Sequence, residues 1–172
     1  MAEQRIIGKS KRRSRKDLKV IKFPMVLFRA YSRLVRGKTL GARVAVFDDQ
    51  GRVLLVKASY ISGWQLPGGG VDKGETLRGA ALRELREEAC VEPMDRLQLH
   101  GIFSNEKIFA GDHVAVYVCR KFRQGEFQAN MEITAANFFP TDALPNDLNA
   151  GARARIMEII SGGGQVPDDW DT

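Results

Sequence analysis

Three glutamates lie close together in the middle of the chain, at positions 84, 87 and 88. A helix has about 3.6 residues per turn, so residues at i, i+3 and i+4 share one face. Glu84, Glu87 and Glu88 would therefore sit side by side, and like charges at that spacing repel one another and weaken a helix. Mg²⁺ favours carboxylates together with the phosphates of a substrate. The spacing predicts a site for a divalent cation and chemistry on a phosphate compound.

A solvated acidic face is the commonest explanation for clustered glutamates, and it competes with the cation site. Two features favour the cation site. The segment Leu66–Gly70 precedes the glutamates, and its proline followed by three glycines is typical of a turn that brings backbone close to a ligand. The glutamate segment also has an apolar side for packing, formed by Leu77, Ala80, Ala81, Leu82 and Leu85.

The stretch Gly69–Val91 has a fixed spacing of residue types around the three glutamates. Glu75 follows Gly69 after five residues, and an Arg-Glu pair follows after seven more. The stretch resembles the signature sequence of the Nudix hydrolases, hereafter the box, at every position but one: Cys90 stands where the family usually has glycine. That glycine commonly ends a helix in a left-handed turn. The likeness extends over roughly residues 39–144.

The resemblance implies a fold and a chemistry. The fold is an α/β/α sandwich with a mixed sheet, in which the box forms a loop–helix–loop. The chemistry is hydrolysis of the pyrophosphate in a nucleoside diphosphate linked to another moiety, with Mg²⁺ or Mn²⁺ as cofactor. Arg83 is expected to orient the site by pairing with Glu75 or with a box carboxylate. Matched by position, the metal ligands are the backbone carbonyl of Gly69 and the carboxylates of Glu84, Glu87 and Glu88, and the catalytic residues are Glu87, Arg83 and Glu132.

Two roles stay open in the sequence. The general base comes either from the box or from a downstream carboxylate, where Glu132 competes with Glu106 in a predicted loop. Trp64 either stacks on a base or packs in the core. The candidate substrate-binding residues are Trp64, Glu75 and Glu106.

Hydrophobic periodicity places these residues on alternating strands and helices. Predicted strands at 42–48 and 52–57 flank the turn Asp48–Gly51, and the pair resembles a hairpin. The apolar side of residues 76–89 predicts the helix that presents the glutamates. The remaining predicted elements are strands at 62–66, 95–104, 113–122 and 137–139 and a helix at 148–160.

The net charge of +6 is concentrated at one end of the chain. Residues 1–22 contain nine lysines and arginines against two acids, so the rest is close to neutral. Such a run is typical of a solvated, disordered arm, and its alternative role is attraction to nucleic acid or an anionic membrane surface. Residues 23–38 form a predicted amphipathic helix that packs on the domain or on a second subunit, as in a homodimer, or that lies on a membrane surface. The domain follows at 39–160, and the Gly-rich, then acidic segment 161–172 is predicted to be a loose tail.

Composition agrees with a single enzyme domain. A chain of 172 residues with 44% apolar content is expected to form one core. Two cysteines without paired or metal-binding spacing predict a reduced, cytoplasmic protein.

Three functions remain open: a metal-dependent pyrophosphohydrolase of a small nucleotide, the same reaction on RNA 5′ ends, or a catalytically idle module that senses a nucleotide. Intact Glu84, Glu87 and Glu88 favour the two enzymes, because a module without catalysis has no need for clustered carboxylates.

Overall fold

The computed structural model describes residues 38–107, 110–162 and 168–170. The basic arm at 1–22 and all but the last residue of the predicted helix at 23–38 lie outside this part of the chain. Neither helix in the described residues is long and apolar enough to span a membrane. The helices are α1 (Leu77–Ala89) and α2 (Ala150–Ile160). The strands are β1 (Thr39–Val46), β2 (Val53–Ala58), β3 (Gly68–Gly70), β4 (Val91–Pro93), β5 (Gln98–Ser104), β6 (Asp112–Cys119), β7 (Phe122–Gln124) and β8 (Ile133–Phe139).

A four-stranded mixed sheet with the order β3-β1-β6-β5 forms the centre of the domain. β1 runs parallel to β6, whereas β3 pairs antiparallel with β1 and β5 pairs antiparallel with β6. The last three residues of β1 are all buried, as expected for a strand whose two faces are both covered. Two antiparallel pairs, β2-β8 and β4-β7, complete the described strands.

Helices cover the sheet on both faces. α1 packs Leu85 into a core cluster that contains Val44 of β1. α2 packs Ile156 into a second cluster, which contains the next residue of the same strand, Ala45. Successive residues of a strand point to opposite faces, so the two helices lie on opposite sides of β1. The α/β/α sandwich implied by the resemblance is confirmed.

The predicted hairpin of the first two strands is wrong. β2 pairs with β8, and in the described residues only a single bridge, Phe47–Val53, links the ends of β1 and β2. The turn itself forms, since the Asp48 carboxylate accepts hydrogen bonds from the backbone N–H groups of Gln50 and Arg52. Burial of both faces of β1 beside β6 decided the strand partners, and a turn signal does not reveal this.

The short strand predicted at 62–66 is shifted toward the C-terminus. The structure has β3 at Gly68–Gly70. Gln65 makes an isolated bridge to Val56, and pairing with β1 begins at the glycines, where Gly68 lies opposite Arg43. At Gly68 φ is 142°, and a Cβ there would lie 2.8 Å from the Cα of Arg43. Only glycine fits this approach, so the glycines build the strand and do not interrupt it.

Local hydrogen bonds hold α1 at both ends. Thr76 caps the N-terminus by accepting a hydrogen bond from the Gly79 N–H at 3.0 Å. At the C-terminus Cys90 adopts the left-handed conformation, with φ 53° and ψ 35°, and its N–H donates to the carbonyl of Arg86. Cysteine thus takes the conformation that glycine usually supplies, and the turn after the helix is intact.

The end of the chain differs from the loose tail predicted at 161–172. Among its described residues, Asp169 bridges to Ser104 at the end of β5, and the Trp170 N–H donates to the Ser104 carbonyl at 2.8 Å. The Trp170 ring is buried beside Gly151 of α2, where a Cβ would lie 2.5 Å from Cδ1 of the ring. Burial of one indole in an otherwise polar segment holds residues 168–170 on the domain.

Candidate functional site

The box begins where β3 meets α1. Gly69 lies in β3 opposite Ala42, and the side chain of Glu84 reaches it from α1. A Cβ on Gly69 would lie 2.7 Å from Cδ of Glu84 and closer still to one of its oxygens. Glycine is therefore needed for this carboxylate to rest against the backbone.

Glu88 is the buried member of the three glutamates. It is 7% exposed and accepts a hydrogen bond from the Gly68 N–H at 2.7 Å. Desolvation is the main reason that the pKa of Glu88 is raised to about 7. The Gly68 hydrogen bond and the charge of Arg43 oppose the shift, and neighbouring negative charges add to it. Glu88 is thus able to exchange a proton for a cation near neutral pH.

Arg83 binds the carboxylates around it. Its guanidinium makes two hydrogen bonds to Glu75, both at 3.1 Å, and one to the Gly70 carbonyl at 3.0 Å. Its Nη1 donates to Glu84 at 2.7 Å and to Glu87 at 3.2 Å. The hydrogen bonds to these carboxylates raise the pKa of Arg83, which stays charged. The arrangement suits an orienting role, which stays a prediction.

Glu75 anchors the loop between β3 and α1. Besides the bonds from Arg83, it accepts a hydrogen bond from the Asp72 N–H at 3.2 Å. The Arg83 hydrogen bonds, and then the backbone bond with Asp72, hold the pKa of Glu75 below its ordinary value. Both carboxylate oxygens are engaged inside the protein, so the structure gives Glu75 a supporting position, and direct contact with substrate stays a prediction.

The chemistry of the donor set fits a divalent cation. Burial raises the pKa of Glu84, and the charge of Glu87 adds to that shift although Arg83 opposes it. The charge of Glu84 in turn raises the pKa of Glu88. A cation would relieve this mutual repulsion. In the described residues no three acidic, histidine or cysteine side chains already converge as a cage. The residues that would hold the ion are the three box glutamates, with the Gly69 carbonyl as the further expected ligand.

Arg43 is a site residue that the sequence analysis missed. It lies in β1 opposite Gly68, and its Nη1 donates to the Gly68 carbonyl. Its positive charge acts to lower the pKa of both Glu84 and Glu88, against the effect of burial. The available signal was a lone arginine within an apolar strand, but only the pairing of β1 with β3 brings it to the glutamates.

Glu132 lies at the β2–β8 pair of strands and acts electrostatically on Glu88. It lies just before β8, and its negative charge contributes to the raised pKa of Glu88. The Tyr60 hydroxyl donates to Oε1 of Glu132 at 3.3 Å, and the Ser59 N–H donates to the Glu132 carbonyl at 2.8 Å. Tyr60 is a second residue that the sequence analysis did not single out, because the β2–β8 pairing that places it was not foreseen.

The two other candidates have different surroundings. Glu106 is exposed in the turn after β5, and the described bonds of Arg83 go to other carboxylates and to the Gly70 carbonyl. Trp64 packs edge-on against Phe139, with ring centroids 4.7 Å apart, and contacts the core cluster beneath α2. This position favours packing for Trp64, and stacking on a base stays a prediction.

Comparison with known proteins gives a consistent picture. A family model described as the NUDIX domain matches residues 37–158. Among solved structures, the chain is similar to a MutT NUDIX hydrolase from Burkholderia pseudomallei, with 27% identity, a TM-score of 0.62 and coverage of 71% of this chain and 98% of that chain. It is also similar to an ADP-ribose pyrophosphatase from Streptococcus suis, with 29% identity, a TM-score of 0.57 and coverage of 73% and 94%.

Curated sequences match over a shorter stretch. An RNA pyrophosphohydrolase from Roseobacter denitrificans is 46% identical over 52 residues, which cover 29% of this chain and 32% of the relative. The chain spans about a third of the length of the first curated relatives that it matches. The family model, in contrast, covers most of the chain, and the solved structures share its fold. The chain therefore belongs to the Nudix hydrolase family.

Proposed function

We propose that this protein hydrolyses the pyrophosphate bond of a nucleoside diphosphate linked to another moiety, with Mg²⁺ or Mn²⁺. The observation that carries the proposal is the packing of the Glu84 carboxylate against Gly69, beside the buried Glu88. Crowding carboxylates in a desolvated space costs stability unless a cation is received there. The likeness to a MutT NUDIX hydrolase, which extends over nearly all of that chain, supports the same conclusion.

The residues of the chain would hold and orient the reacting groups. A bound divalent cation would screen the phosphate oxygens and stabilise the charge on the leaving phosphate. Arg83 holds Glu84 and Glu87 through hydrogen bonds of 2.7 and 3.2 Å, which orients two of the expected ligands. Arg43, whose charge acts on the same space, would favour an anionic substrate.

Glu132 is the general base that we favour. Its Oε1 accepts the Tyr60 hydrogen bond, and no described residue engages its Oε2 through a hydrogen bond. That oxygen would take the proton of the attacking water as the new bond to phosphorus forms and the bond to the bridging oxygen breaks. Glu87 within the box is the competing base, since 60% of its side chain is exposed. Comparison of the pH profiles of kcat for Glu132→Gln and Glu87→Gln at saturating Mg²⁺ tests this choice, because loss of the base removes the acidic limb that the base contributes.

The activity is tested by release of phosphate from nucleoside diphosphate derivatives, nucleoside triphosphates and 5′-triphosphorylated RNA. Each reaction contains Mg²⁺, Mn²⁺ or EDTA. We expect metal-dependent turnover of one class, reduced at least about a hundredfold in Glu87→Gln. Glu92→Gln is the matched control, since Glu92 is exposed on β4 outside the box. Turnover in EDTA, or an unaffected Glu87→Gln enzyme, would contradict the proposal.

Hydrolysis of RNA 5′ ends is the second candidate. The relative from Roseobacter denitrificans is named an RNA pyrophosphohydrolase, and residues 1–22 supply the basic charge that attracts a phosphate backbone. Deletion of residues 1–22 should then weaken turnover of RNA and flatten its salt dependence while turnover of nucleotides changes little. Equal effects on both substrates would contradict a role for the arm. A panel on which a nucleotide binds but none is hydrolysed would favour the sensing module.

Three further expectations are part of the proposal: a cytoplasmic location, a homodimer through residues 23–38, and contact of residues 1–22 with nucleic acid or an anionic membrane. Sedimentation of the chain with and without residues 1–38 tests the dimer. Binding of the full chain to RNA and to anionic vesicles tests the two partners of the arm separately.

A further inference from the structure

Three large apolar side chains are exposed together at one edge of the site. Tyr60 is 56% exposed, Ile61 37% and Met131 87%. Single exposed apolar residues need no explanation, but several on neighbouring loops mark a contact surface. We refer to Tyr60, Ile61 and Met131 as the apolar platform.

Hydrogen bonds join the two loops that carry the apolar platform. The Ser59 hydroxyl donates to the Met131 carbonyl at 2.7 Å, and the Ser59 N–H donates to the Glu132 carbonyl at 2.8 Å. The Tyr60 hydroxyl donates to the Glu132 carboxylate at 3.3 Å. These bonds hold the loops before β3 and before β8 together, so the backbones that carry the apolar platform lie beside Glu132.

The apolar platform contacts Glu132, whose carboxylate accepts the Tyr60 hydrogen bond at 3.3 Å. Partial burial, and then the charges of Glu132 and Glu88, raise the pKa of Tyr60 to about 12. Those charges act on the phenol only because both carboxylates are near it. A ligand whose phosphates lie at the glutamates would thus have its remaining part beside Tyr60.

We propose that the apolar platform stacks against the aromatic base of the substrate while the diphosphate lies at Glu84, Glu87 and Glu88. This inference rests on the proposed function and adds to it the residues that would contact the base of the nucleoside. An aromatic ring and a thioether bind the flat face of a base well. A sugar in the same place would need several hydrogen-bond donors and acceptors. The three side chains offer only the Tyr60 hydroxyl, which already donates its hydrogen bond to Glu132.

Equilibrium binding of two non-hydrolysable ligands tests the inference in the full chain with Mg²⁺. One ligand is α,β-methylene-ADP and the other is methylenediphosphonate, which has the same phosphorus backbone without base or sugar. We expect Tyr60→Ala to weaken binding of the nucleotide about tenfold and to leave methylenediphosphonate unchanged. Tyr60→Phe keeps the ring and should bind the nucleotide within about twofold of the wild type.

Two methionine variants provide a matched pair. Met131→Ala should weaken nucleotide binding by roughly threefold to tenfold, because it removes part of the stacking surface. Met94→Ala should have no effect, since Met94 is 59% exposed and its N–H bonds to the Lys121 carbonyl outside the site.

Several results would overturn the inference. If Tyr60→Ala weakens both ligands equally, Tyr60 acts through Glu132 and not on the base. If Tyr60→Ala changes neither dissociation constant, the apolar platform does not contact the nucleotide; a simultaneous fall from dimer to monomer in sedimentation would show that it binds a second copy of the chain. Failure of the wild type to bind the nucleotide more tightly than methylenediphosphonate also overturns the inference. Failure of the proposed hydrolase is separate: it appears as binding without turnover, and stacking then still stands.

Discussion

Replacement of Gly69 by alanine tests the geometry of the box, because the variant keeps all of its glutamates and arginines. The new methyl group would lie 2.7 Å from Cδ of Glu84, whereas carbon atoms in contact are about 3.5 Å or more apart. The Glu84 carboxylate therefore has to move by roughly 0.8 to 1 Å. Gly69 does not have a positive φ, so the backbone itself accepts alanine.

The effect on rate should be much larger than the effect on stability. A displacement of about 1 Å at a catalytic group can cost about a hundredfold in rate. Arg83 bonds both Glu84 and Glu87, so a shift of the first carboxylate disturbs the second. Stability changes little because only the end of a flexible side chain moves. We expect kcat to fall about a hundredfold with a change in Tm below about 3 °C.

The assay is steady-state phosphate release at saturating Mg²⁺ with the best substrate of the panel, beside a thermal unfolding scan. Gly70→Ala is the matched control, since a Cβ at Gly70 meets no atom within 4 Å. Its kcat should stay within about threefold of the wild type. The reasoning is refuted if Gly69→Ala keeps the wild-type kcat, or if both variants lose activity to the same extent.

Three other perturbations test separate parts of the site and fold. Arg83→Lys should lower kcat at least about tenfold, because lysine cannot reproduce the paired bonds to Glu75. The control Arg86→Lys loses only a bond to the Leu82 carbonyl and should keep the wild-type kcat. The folded-state pKa of Glu88, about 7, lies above its ordinary 4.5, so the folded chain holds this proton more tightly than the unfolded chain. The contribution of Glu88 to stability without metal should therefore fall, and Mg²⁺ affinity should rise, as the pH increases from about 4.5 to about 7, and Glu88→Gln should reduce the first trend in thermal scans. Trp170→Ala should lower the free energy of unfolding by about 3 kcal/mol in urea titrations, whereas Met157→Ala on the exposed side of α2 should change it by less than about 1 kcal/mol.

Local features of the site could be predicted from the sequence, because they depend on neighbours along the chain. Helix periodicity alone put Glu84, Glu87 and Glu88 on one side of α1. The box spacing identified the family and its α/β/α sandwich, and the family and the sandwich are both confirmed. The turn at Asp48 also formed as its composition indicates.

Only the tertiary structure decided which distant segments meet at the glutamates. The pairing of β1 with β3 brings Arg43 to Gly68, and the pairing of β2 with β8 brings Tyr60 and Glu132 together. A strand that is buried on both faces has no polar side to specify its neighbour, so the partner is chosen by the free energy of the whole core. The same holds for Trp170, whose burial beside Gly151 depends on room between elements far apart in the chain. The sequence therefore determined the carboxylate helix and the family of the chain, and long-range packing determined what surrounds the helix.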